Sequence, residues 1–211
     1  MIIASQKTIQ QATAHLSRSD PVLAQVIATS PPCDIRPHKN YYQELVDSII
    51  SQQLSVKAAR TIERRFCELF GSSDFPPPEK ILGKDTDELR SAGLSRGKAM
   101  YVRDLAQHVI DGQLKFDHLD ILDNEDVIRE LTAVKGIGEW TAHMFLMFCM
   151  GRLDILPHGD LGIKNGIQKL YSLDHVPTPD EISELAKKNN WHPYQSVAAW
   201  HIWQSLDNTP K

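Results

Sequence analysis

Residues 131–145 read "LTAVKGIGEWTAHMF", and how this stretch is read decides the fold. Before it, "VIRELTAV" is amphipathic at helical spacing, and after it "EWTAHMFLMFCM" is apolar almost all round. Lys135, Gly136, Ile137 and Gly138 leave room for only a very tight turn between two helices. Glycines two apart admit positive φ and let another surface come close to the backbone. The amides that follow are the orphan donors of a helix start. A loop that presents bare amides at such a start suits an anion such as phosphate. From these residues alone, a plain helix–helix connection with glycine caps reads equally well.

Outward from the turn, helical signals dominate. Asp20 with Pro21, Ser55, Asp85 with Glu88, Ser95, and Thr178 with Pro179 and Glu181 each read as a helix start. Gly71, Gly93 and Gly112 read as stops. No segment alternates apolar and polar long enough for a strand, and "FPPPE" (75–79) reads as a break between helices. The expectation is an all-α protein of about nine to eleven short helices, a two-lobed bundle. The chain is expected to form one unit of two lobes. Residues 41–172 would form a central lobe carrying the hairpin (125–150) and the loop after it; residues 1–40 with 173–211 would form the second.

Bulk properties bound the function. The 211 residues include 41% hydrophobic and 24% charged side chains, ordinary for a globular protein. The three cysteines, Cys33, Cys67 and Cys149, share no metal-ligand spacing, which argues against zinc or iron–sulfur sites and fits a reducing compartment. No signal peptide and no membrane span are expected. The net charge of −4 counts against a nucleic-acid binder, unless amides rather than lysines hold the phosphates.

Asp160 in "DILPHGDLGIKNGIQKLY" (154–171) precedes a helix, and an aspartate there is commonly an N-cap and nothing more. Yet five stretches together, 48–66, 92–106, 131–142, 154–171 and 191–203, resemble the helix-hairpin-helix DNA glycosylase superfamily, in its 3-methyladenine DNA glycosylase II branch. The resemblance covers residues 30–205, and Gln195 stands where the family usually has arginine.

That resemblance implies a base-flipping enzyme of base excision repair. It would hydrolyse the N-glycosidic bond of alkylated purines, chiefly 3-methyladenine, with 7-methylguanine and ethenoadenine as further substrates. Asp160 takes the place of the obligatory aspartate that stabilises the oxocarbenium ion and orients water. The hairpin residues Lys135, Gly136, Ile137, Gly138 and Thr141 would grip the DNA backbone. The carbonyls of Thr132, Val134 and Ile137 would hold a structural Na⁺ or K⁺, with no other cofactor. Gln52, Gln53 and Leu54 fall where the family's wedge lies, with Gln53 foremost; the plain reading is polar residues at a helix end. Trp140, Trp203, Met144 and Tyr42 would line the base pocket, although aromatics at helical spacing also build cores. Bifunctional relatives place a lysine where Trp140 stands, so strand cleavage is not expected. His158 reads as a loop residue or DNA contact. The partner is double-stranded DNA with a damaged base, bound by a monomer in the cytoplasm or nucleus. The alternatives are a glycosylase for a different damaged base and a non-catalytic DNA-binding protein.

Overall fold

The computed structural model describes residues 1–71 and 74–207. Among these, the chain is all-α, with one isolated bridge between Ile3 and Arg152. The helices are α1 (Gln6–Ser19), α2 (Pro21–Thr29), α3 (Tyr41–Ser51), α4 (Val56–Glu68), α5 (Pro78–Leu82), α6 (Thr86–Ser91) and α7 (Arg96–Ile110). There follow α8 (Phe116–Leu119), α9 (Asn124–Thr132), α10 (Glu139–Met144), a π-helical turn (Phe145–Cys149), α11 (Leu161–Leu170), α12 (Pro179–Lys188) and α13 (Gln195–Asp207). Among the described residues, thirteen α-helices exceed the number expected because single turns such as α5 and α8 carry too few residues to show a period. Pro78 opens α5 inside the stretch that reads as a break: proline fits the first helical turn, where its missing N–H costs nothing.

Two units emerge from the packing. The central unit is Lys39–Phe145; the other joins Met1–His38 to the chain from Leu146 onward. The second boundary therefore falls at 145/146 rather than after 172, and Asp160 belongs with the two chain ends. The physical reason lies in α11 and α13. A Cβ on Gly166 of α11 would meet Ile202 Cγ2 of α13 at 2.5 Å, so only glycine permits this approach. Ser196, at the start of α13, receives a hydrogen bond from the Ile155 amide (3.0 Å) and donates to the Arg152 carbonyl (2.7 Å). These bonds fix the loop before Asp160 to α13.

Each unit buries its own apolar stripe. In the terminal unit Leu16, Leu23, Ile163, Ile167, Ile182, Val197 and Ile202 are sealed from solvent, together with Trp191. Asp20 is buried there too, but fully bonded. Its carboxylate caps α2 through the amides of Val22 and Leu23 and accepts from Tyr171 Oη (2.5 Å) and Trp191 Nε1 (2.7 Å). In the central unit Leu45, Ile49, Ile50, Phe66, Leu89, Val102, Leu105 and Leu131 form the core. Among the described residues no helix is long and apolar enough to cross a membrane.

Candidate functional site

The hairpin joins α9 to α10 in the central unit. Gly136 takes the left-handed conformation (φ +88), and a Cβ on it would lie 2.3 Å from Tyr101 Cδ2. Only glycine fits on both counts. Gly138 differs: its backbone is extended (φ −95, ψ 172), and a Cβ there would meet nothing within 4 Å. The expectation that both glycines serve positive φ thus holds for Gly136 alone. Gly138 is the N-cap of α10, and no side chain caps this helix. Six of the helices before it, including α1, α4, α7 and α9, have a Ser or Asp side chain bonded to their first amides.

One face of α7 supports this turn. Lys98, Tyr101 and Asp104 lie three residues apart and so share a stripe. Lys98 Nζ donates to the carbonyls of Ile50 (2.8 Å) and Gln52 (2.6 Å), closing the C-terminal end of α3. Burial pulls the Lys98 pKa below the usual lysine range. The Tyr101 ring sits under Gly136. Asp104 Oδ2 accepts the Lys135 amide (2.9 Å), and the Lys135 ammonium lies 3.6 Å from the same carboxylate. Asp104 thus anchors the turn from behind.

The turn between α3 and α4 is tied to the hairpin. Gln52 Nε2 donates to the Gly136 carbonyl at 2.8 Å. This bond braces Gln52, one of the expected wedge residues, against the hairpin. Gln53 occupies the exposed tip with φ +58, a conformation non-glycine residues seldom adopt. Leu54 beside it is also exposed.

Beside this turn the central unit opens a cleft of about 640 Å³, lined by Trp140, Thr141 and Met144 on one side and by α3 and α4 residues on the other. Trp140 is 53% exposed, unusual for so large a ring. Thr141, expected on the DNA-facing hairpin, is instead buried into this cleft. Tyr42 is not part of it. Its ring packs against Phe75 and Phe116 at centroid distances of 6.0 and 6.3 Å, and its hydroxyl is buried without a hydrogen bond. Helical spacing places Tyr42 on the core side of α3, which corrects its assignment to the base pocket. Sequence reading also missed Glu44, Asp47 and Glu63, which line the cleft. Glu44 and Asp47, three apart on α3, were the available signal.

Asp160 lies in the terminal unit as the N-cap of α11. Its Oδ1 accepts the Ile163 amide (2.8 Å) and the indole N–H of Trp203 (2.8 Å). A Cβ on Gly162 would stand 3.0 Å from both that oxygen and Trp203 Cδ1, so the packing is tight. The cap reading is therefore correct, and it leaves a half-buried carboxylate held in one orientation. Trp203, expected in the base pocket, is committed through its N–H to Asp160, and its ring lies 6.1 Å from Phe148. His158 keeps its ring Nδ1 near the Leu156 carbonyl (3.2 Å). Gln195 Nε2 donates to Asp154 Oδ1 (2.8 Å), so it ties the loop to α13 where the family's arginine is expected.

Comparison with known proteins gives a consistent picture. Residues 46–191 match the HhH-GPD superfamily of base excision DNA repair proteins. DNA-3-methyladenine glycosylase 1 of Schizosaccharomyces pombe is 33% identical over 202 residues, 94% of this chain and 88% of that protein. Among solved structures, a DNA-3-methyladenine glycosidase from Bacillus halodurans superposes with TM-score 0.84 at 36% identity, covering 93% of this chain and 89% of that one. The Schizosaccharomyces pombe 3-methyladenine DNA glycosylase in complex with abasic DNA superposes with TM-score 0.77 at 31% identity, over 95% and 100% of the two chains.

Proposed function

The chain belongs to the HhH-GPD superfamily of base excision DNA repair proteins, and from that premise we propose that it is a monofunctional DNA glycosylase for alkylated purines, chiefly 3-methyladenine. The observation that carries this reading is the Asp160 carboxylate, pinned by the Ile163 amide and the Trp203 indole at the start of α11.

As the C1′–N bond breaks, the base departs with the bonding electrons and positive charge builds on the sugar. An ionised carboxylate held in place stabilises that charge without reorganising. Water then supplies the hydroxyl at C1′, and its proton leaves through Asp160 to solvent. A cationic N3- or N7-alkylpurine leaves as a neutral base, so little acid catalysis is needed. Trp140 supports the choice of water as nucleophile: a tryptophan cannot form the Schiff base that begins strand cleavage. Its exposed face suits an electron-poor, flat ring.

The hairpin supplies the grip. The amides after Gly138 meet a backbone phosphate, and the open surface at Gly138 lets it approach. Gln53, at the exposed tip, is the wedge that fills the gap left by the extruded nucleotide. The carbonyls of Thr132, Val134 and Ile137 would hold a monovalent cation. They are neutral, hard oxygens, and although Val134 already accepts the Ile137 amide (3.1 Å), a carbonyl has a second lone pair. The protein would act as a monomer on duplex DNA in the cytoplasm or nucleus.

Release of 3-methyladenine, 7-methylguanine, 1,N6-ethenoadenine, uracil and 8-oxoguanine from duplex oligonucleotides tests the proposal. Release of the alkylated purines by wild type and its loss in Asp160→Asn, with duplex binding retained, is the expected result. Failure on every base would make the protein a binder only. Release by Asp160→Asn at the wild-type rate would overturn the mechanism.

A further inference from the structure

The cleft beside Trp140 carries three carboxyl groups, from Glu44, Asp47 and Glu63, and no lysine or arginine among its described lining residues. DNA is a polyanion, so a slot lined this way repels phosphate. Whatever enters it is neutral or positive. One wall is the half-exposed Trp140 ring, which attracts a cation through its face. An aromatic wall alone would stack any flat base; the carboxyl groups add a preference by charge.

Resting on the reading of this cleft as the base pocket, the geometry points to Asp47 and Glu63 as the residues that select cationic N3- or N7-alkylpurines over neutral purines. Asp47 projects from α3 and Glu63 from α4, and both line this cleft and the adjoining hollow of about 750 Å³ near Phe75. In that hollow the cations Arg60 and Arg64 appear, and Arg64 is paired with Glu68 at 2.5 Å. A purine alkylated at N3 or N7 spreads a unit positive charge over its ring. Beside Trp140 it meets the π face and a carboxylate together. An undamaged purine forms no such pair and leaves the carboxylate desolvated, which costs free energy. The cleft therefore rejects as well as attracts, which is how a small charge difference becomes selectivity.

The state of Asp47 fits this role. Burial, then the Glu63 charge, then Glu44, push its pKa up to about 7, against a smaller opposing bond from Gln43. Its ionised form is poorly compensated in the empty protein, so a cationic guest gains the most there. Glu63 is likewise raised by burial, while Arg60 opposes the rise. The Cys67 thiol is also held up, by burial first and by the neighbouring carboxylates after it. With these neighbours, preference for cationic bases strengthens as pH rises through about 7.

The test compares wild type with Asp47→Asn and, separately, Glu63→Gln, both isosteric. Single-turnover release of 3-methyladenine (cationic in the nucleotide) is measured against 1,N6-ethenoadenine (neutral) in the same duplex at pH 8. The cationic-to-neutral rate ratio is expected to fall about tenfold in Asp47→Asn, the scale of one charge-assisted contact. In parallel, tryptophan fluorescence reports binding of 3,9-dimethyladeninium, a fixed cation, against neutral 9-methyladenine, and the affinity ratio is expected to fall likewise. An unchanged or increased ratio in both variants would overturn the inference, as would a wild-type protein with no preference for the cation. If wild type prefers the cation but releases no base, the proposed glycosylase activity fails while this selectivity stands.

Discussion

Two helix starts in this chain are built in opposite ways. α11 begins at Asp160, whose carboxylate bonds the helix's own Ile163 amide and takes a second bond from Trp203. α10 begins at Gly138, a cap residue with no side chain to turn back on the helix and with open space where a Cβ would be. One end holds its own capping acceptor rigidly; the other has none on its cap residue and an open surface beside it. The first arrangement suits chemistry, which needs a charge fixed in position. The second suits a grip that reads only backbone.

The contrast breaks in four measurable places. The largest effect falls on Asp160. Asparagine keeps the capping oxygen, so Asp160→Asn should cost less than about 1 kcal/mol of stability yet lower base release by at least about 10³-fold. Denaturant melts and single-turnover assays check the pair of values. If both fell in proportion, the carboxylate would be a cap and nothing more.

Next come the two hairpin glycines. Gly136→Ala forces a left-handed alanine into Tyr101 and should cost about 2–4 kcal/mol. Gly138→Ala should leave stability within about 0.5 kcal/mol and weaken duplex binding several-fold. Equal destabilisation by the two would show that Gly138 is also packed. Third, Trp203→Phe removes one donor from Asp160 and should slow base release about tenfold, with duplex affinity retained. An unchanged rate would leave the Ile163 amide sufficient to hold the carboxylate.

The last effect is on stability against pH. Burial and the neighbouring carboxylates push the folded-state pKa of Asp47 up to about 7, well above the usual aspartate range of about 4. A raised acid stabilises the fold while protonated, and that contribution is lost as pH climbs from about 4 to about 7. Asp47→Asn should therefore raise Tm at pH 8, by about 2–4 °C for each kcal/mol regained, and the gain should shrink toward pH 4. Calorimetry at the two pH values decides it.

What could be read in the sequence was local. Asp20, Ser55, Asp85, Ser95, Thr178 and Asp160 all cap the helices they precede, because each bond spans two or three residues. The hairpin and its all-α setting follow from the same short-range chemistry. What escaped was decided at long range. Helical spacing says that Tyr42 has a neighbour but not that the neighbours are Phe75 and Phe116. The stripe of Lys98, Tyr101 and Asp104 is visible as a period, yet its partners lie on two other segments. The carboxyl groups of the Trp140 cleft sit on α3 and α4, and nothing in either helix alone shows that a tryptophan of α10 faces them.

The hydrogen bond from Gln52 to the Gly136 carbonyl joins segments 84 residues apart. Its consequence is one of modularity. A chimera that borrowed the α3–α4 turn from another glycosylase, without the matching hairpin, would lose the brace. The two segments are one exchangeable part, and grafting experiments on this chain should transplant them as a pair.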